Sequence, residues 1–205
     1  MTGLKDGSID GNLTYCLGQM PHLMQRSREA LALSTGSEAA LREILHEMIS
    51  LRDTLSHVVD KLRERWQSTV ITTGSAESMS RTAKRIMLCC HARALAFGLA
   101  VGILVNCVVG ILQQDDTEIR HETFQMSEEI LELADFLSAY RPLGSMAITV
   151  FLSAAWVGAP DPKLKARIEM RAMEFSEDIY GSDTTFMKRD LDTLRDNFML
   201  AWTGP

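Results

Sequence analysis

The sequence predicts an all-α fold, an irregular helical bundle of about six to seven helices around a hydrophobic central helix. Three observations predict it. Apolar residues recur at steps of three and four along most of the chain, and no segment alternates with period two. The composition is rich in Leu, Ala, Met and Glu, with only 5 Pro and 13 Gly in 205 residues, which favours helix. Apolar residues make up 46% and charged residues 23%, enough to bury a core of ordinary size within one domain.

Residues 1–12 read as a flexible N-terminal arm: they are polar and lack the apolar stretch of a signal peptide. Residues 13–202 read as a single helical domain. The first helical region spans 13–33, with Pro21 opening its main helix and Leu23, Met24, Leu31 and Leu33 as apolar positions. Thr35 and Glu38 have the spacing of a capping box, so a new helix is expected there. Its stripe is the clearest in the chain: Leu41, Ile44, Leu45, Met48, Leu51, Leu55, Val58, Val59, Leu62 and Trp66. Residues 67–80, rich in Ser, Thr and Gly, read as a loop.

The next segment, from about Arg81 to Gln114, contains the run Ala94–Leu112, which has no charge and only Asn106 strongly polar. Its length and its Gly98-x-x-x-Gly102 spacing suit a transmembrane helix. A central bundle helix, apolar all round because no face meets water, is the alternative. The second is preferred. The flanking amphipathic helices need a partner, no Trp or Tyr marks the ends of the run, and Gly98, Gly102 and Gly110 permit close helix approach.

A further helix follows, with Ile119, Phe124, Met126, Ile130, Leu131, Leu133, Ala134 and Leu137 as its apolar positions. Tyr140–Ser145 reads as a turn, Met146–Val157 as a short apolar helix, and Gly158–Pro162 as a break in which Asp161 caps the next helix with Pro162 in its first turn. Lys163–Ile179 and Thr184–Trp202 complete the set, both heavily charged.

Charge and cysteine usage bound the function. The net charge of −6 and pI near 5.4 argue against the whole chain binding nucleic acid. Residues 1–113 carry 12 basic and 10 acidic side chains, while residues 114–205 carry 9 and 17, so the acidity lies in the C-terminal helices. Four cysteines in apolar settings, without a Cys-x-x-Cys pair, offer neither a disulfide framework nor a metal site. No metal and no cofactor is therefore expected.

The chemically suggestive residues each have a structural alternative. Cys89-Cys90-His91 holds a thiol and an imidazole, but buried cysteines commonly serve as small hydrophobes. Asp115-Asp116-Thr117-Glu118 has the look of a magnesium-binding acidic cluster. Its aspartates equally offset a helix dipole. His121-Glu122 lacks a second His, because Gln125 stands where one is needed. Asn106 either holds a neighbouring helix in register or lines an internal pocket with Cys107 and His91. If a pocket exists, its candidates are His91, Asn106, Asp116, His121 and Trp156.

As a set, these segments resemble a known family. The stretch RALAFGLAVGILVN (Arg93–Asn106) followed by Gln114-Asp115-Asp116 is similar to the long central helix in the C-terminal regulatory region of fungal zinc-binuclear-cluster transcription factors. Ser127–Ala134, Tyr140–Ser145, Ala154-Ala-Trp156 and Asp161-Pro162 resemble that region in the same order, over roughly residues 13–200. The family's DNA-binding element needs six cysteines beside a basic stretch, and this chain has four cysteines and no such stretch. The resemblance thus implies the helical regulatory half alone: a nuclear or cytoplasmic protein without direct sequence-specific DNA binding or membrane attachment. Such a protein acts through a protein partner, a homodimer contact or a small hydrophobic metabolite, in a setting of fungal secondary metabolism. The competing expectation is a repurposed helical scaffold that binds such a metabolite and catalyses a metal-free acid-base or pericyclic step.

Overall fold

The structure is a computed structural model and describes residues 9–32, 38–113, 117–142, 144–181, 189–193 and 196. Six helices run α1 (Ile9–Ala32), α2 (Glu38–Ser75), α3 (Arg81–Gln113), α4 (Thr117–Ser138), α5 (Ser145–Gly158) and α6 (Pro162–Tyr180), and residues 189–193 are helical as well. Among the described residues there is no strand. The all-α bundle is the architecture expected.

The apolar run is the axis of the molecule. α3 packs against α2, α4 and α5 and touches α1, and its interior from Leu95 to Val109 is almost wholly buried. By length and composition α3 could cross a bilayer, yet 67% of its most apolar window is enclosed by this chain's other helices. Small residues make that enclosure tight. A Cβ on Gly98 would stand 2.9 Å from Leu62 Cδ1, and one on Gly102 would stand 3.1 Å from Met126 Sδ. Gly110 plays no such part, its nearest neighbour being Ile119 at 3.9 Å. Arg63–Glu129, at 2.8 Å, and Arg52–Glu122 tie α2 to α4.

Two core compartments form along α3. The larger gathers Val58, Leu62, Leu99, Ile130, Leu152, Ile168 and Phe175, joining α2 through α6, and Leu191 belongs to it. The smaller joins Cys16, Leu23 and Ala30 of α1 to Ile44, Met48, Leu51 and Leu55 of α2 and to the C-terminal half of α3.

Most element boundaries agree with expectation. Asp161 Oδ2 accepts from Leu164 N at 2.9 Å and Pro162 opens α6. Gly144 precedes α5 at φ 85, a backbone conformation that favours glycine, with the Arg93 side chain lying close against it. Three readings need correction. Residues 67–75 continue α2 as helix, and the turn is confined to residues 76–80. The Thr69 and Thr73 hydroxyls donate to the Arg65 and Thr69 carbonyls one turn back, so these residues satisfy themselves within the helix and lie buried. The first helix starts at Ile9, so Ile9–Asn12 belong to α1 and not to an arm. Pro21 lies inside α1 rather than at its start, at an exposed position. The expected capping box at Thr35, the Asp115–Asp116 cluster and most of 184–202 lie outside the described residues.

Candidate functional site

The candidate side chains do not converge. His91 and Asn106 share α3 but are separated by about 22 Å of helix rise. His91 faces the end of α2. Thr69 Oγ1 spends its proton on the Arg65 carbonyl, so His91 Nδ1–H is the donor between the two side chains. Burial, helped by Arg65, holds the imidazole below its ordinary pKa. Asn106 is 1% exposed beside Met126, whose sulfur lies 4.0 Å from Nδ2; its Oδ1 finds no hydrogen-bond partner among the described residues. His121 sits on the exposed face of α4, where Gln125 Nε2 donates to its Nε2 at 2.9 Å. Trp156 is buried on α5 beneath Lys165, whose Nζ stands 5.1 Å from the ring centroid. Asp116 lies outside the described residues. No single pocket holds the four that are placed.

Two of the thiols on α3 are held in their protonated form by burial. Burial pushes Cys107 up to about 12 against the opposing influence of Lys165, and burial raises Cys89 despite Arg93 and Arg85. Cys90 is exposed, 3.7 Å from Arg93 Nη2. Among the described residues no three His, Cys, Asp or Glu side chains gather as a metal site.

Two features remain that patterning did not single out. One is a cleft of about 200 Å³ between α1 and α2, lined by Tyr15, Gln19, Leu23, His46, Glu47, Ser50, Leu51 and Thr54. Arg26 fixes the Glu47 carboxylate there at 2.8 Å. Its sequence signal is polar residues four apart, Tyr15 with Gln19 and His46 with Ser50 and Thr54, set beside an apolar stripe.

The other is the outer face of α5. This helix has no charged residue over its 14 positions. Its buried side meets α3, α4 and α6, leaving one narrow stripe: Met146 (68% exposed), Val150 (61%), and the half-buried Ser153 and Val157. The steps of four, three and four put them in one row, the spacing by which one helix packs along another. Ser153 hides its hydroxyl by donating to the Thr149 carbonyl at 2.9 Å, so the whole row is effectively apolar. Surface helices normally turn charge toward water, which makes this row the surface feature that most needs an explanation. Compared with family models, curated proteins and solved structures, the chain matches none of them.

Proposed function

We propose that this chain is a non-catalytic regulatory module, similar to the helical half of fungal zinc-binuclear-cluster transcription factors. It acts in the nucleus or cytoplasm by engaging a protein partner. The observation that carries the reading is the uncharged row Met146–Val150–Ser153–Val157 on a helix otherwise locked into the core. A partner helix laid along it buries apolar surface at about 25 cal/mol per Å² and requires no charge to be desolvated.

A small effector has a place of its own in this reading, the α1–α2 cleft with its phenol, imidazole and carboxylate. At about 200 Å³ it falls below the roughly 300–1,000 Å³ of sites that enclose a drug-sized ligand. That suits a small or partly exposed effector better than a reacting hydrophobic metabolite.

The test fuses the chain to an unrelated DNA-binding domain in a fungal reporter strain. The fusion should change reporter output several-fold, and Val150→Asp should cancel the change while leaving the helical circular dichroism and Tm intact. A fusion indistinguishable from the DNA-binding domain alone overturns the reading. Consumption of a metabolite by the purified protein overturns its non-catalytic part.

A further inference from the structure

α6 carries its charge against its own dipole. Lys163, Lys165 and Arg167 stand in its first turns, and Glu174, Glu177 and Asp178 in its last, whereas a helix stabilises acids at the N-terminus and bases at the C-terminus. Most of these charges are compensated within the chain. Lys165 lies over Trp156, Arg167 pairs with Glu128 at 2.6 Å, Arg171 with Asp135 at 2.6 Å, and Asp178 with Arg141 at 2.8 Å. Glu174 pairs with Arg171. Two are left at the ends of the outward face. Lys163 is exposed and makes no ion pair among the described residues, and Glu177 has only Arg141, at 3.8 Å.

Between them the outward row reads Lys163, Ala166, Met170, Met173, Glu177, at steps of three, four, three and four. Leu164, Ile168, Ala172 and Phe175 occupy the opposite, buried side. Met170 is 54% exposed and stands midway, seven residues from each charged end. Reversed about Met170, the row matches itself at its centre and at its two charged ends, whereas Ala166 falls opposite Glu174 and Met173 opposite Arg167. Turn a second copy about a two-fold axis through Met170 and methionine meets methionine, Lys163 meets Glu177, and each helix dipole opposes the other. A parallel pairing would instead set lysine on lysine and glutamate on glutamate.

We propose that the outward face of α6 is a self-association surface, occupied by a second copy of this chain with the two α6 helices antiparallel and crossing at Met170. This inference is independent of the α5 reading and stands if α5 binds nothing. The row spans about 21 Å, one helix pair, less than the ~800 Å² per partner of a standard interface. The dimer is accordingly expected at the weak, transient end of such contacts.

Sedimentation velocity of the full chain from about 5 to 500 μM tests it, with a shift expected from 22.9 kDa toward twice that mass. Lys163→Glu and Glu177→Lys should each weaken association roughly tenfold, because each reverses two symmetry-related contacts. Combining them should restore the affinity, since the two ends are then exchanged and still opposite. Met170→Asp should abolish the dimer. Thermal unfolding of each variant at a concentration where wild type is monomeric should be unchanged, which separates lost association from lost fold. A monomer at every concentration, or a dimer indifferent to Met170→Asp, overturns the proposal. So does a double charge exchange that fails to rescue.

Discussion

The two core compartments share α3 but are built by different means. Around α4, α5 and α6 the packing depends on aromatics and on glycine. Phe97 stacks at 5.7 Å on Phe151, Trp66 meets Phe136 edge-on at 5.0 Å, and Phe136 meets Tyr140 at 5.3 Å. A Cβ on Gly158 would stand 2.3 Å from Ile103 Cγ2, which is no separation at all. Around α1 the core is Cys16, Leu23, Ala30 and Met48, without an aromatic fully inside, and the α1–α2 seam opens into the cleft. The difference teaches where change is tolerated. The first compartment is closely packed at Gly98 and Gly158, whereas the second opens into a cleft.

The largest effect should come from the tighter side. Phe175→Ala removes a 1%-exposed ring that also carries the Arg141 guanidinium 5.5 Å from its centroid, and should cost about 3–5 kcal/mol in urea unfolding. Leu23→Ala, beside the cleft, should cost about 2 kcal/mol, near the lower end for leucine, because the wall is already open to relaxation. An equal loss at the two sites breaks the comparison.

Two glycines sharpen it. Gly158→Ala forces a methyl against Ile103 and Thr123 and should destabilise by about 1–3 kcal/mol. Gly110→Ala, with nothing nearer than 3.9 Å, should stabilise by about 0.5–1 kcal/mol through helix propensity. Differential scanning calorimetry of the pair checks the signs.

Asn106 tests the interface between the compartments. Its carbonyl oxygen lacks a hydrogen-bond partner among the described residues, so Asn106→Leu should raise stability by about 1 kcal/mol, read as a higher urea midpoint. A loss of stability would mean that the amide is better satisfied than its surroundings suggest or that leucine does not fit the site.

The smallest effect is electrostatic. The Arg141 guanidinium, with the Ser145 hydroxyl, holds Asp178 below its ordinary value of 3.8. The contribution is therefore complete above about pH 4 and fades as acid protonates the folded carboxyl. Asp178→Asn should flatten the stability profile in that acid window and leave the slope from pH 6 to 8 untouched.

Much of the fold was legible because burial leaves a periodic mark. The stripe from Ile44 to Leu62 is the buried face of α2, and Asp161-Pro162 announces the start of α6 by chemistry local to four residues. The misreading at 67–75 has an equally physical origin. Ser and Thr favour loops when their hydroxyls compete for backbone partners, but at Thr69 and Thr73 they bond one turn back and present a methyl to the neighbour. The hydroxyls of Ser27, Thr123, Ser127 and Thr149 likewise bond one turn back. Asparagine has no equally easy return to its own helix, which leaves Asn106 the exception.

Of the candidate site less was legible. His91, Asn106, His121 and Trp156 stood out by residue type, but type does not place side chains in space: His91 faces the end of α2, His121 lies on an exposed face of α4, and Asn106 and Trp156 are buried in the interior. The rows on α5 and α6 are present in the sequence as steps of three and four, like any core stripe. Only packing shows which stripes are covered. The chain by itself therefore determined its helices, its central apolar axis and its acidic C-terminal half, all consequences of short-range pattern. Tertiary structure alone decided which apolar faces stay in water, because burial depends on neighbours that no local window contains.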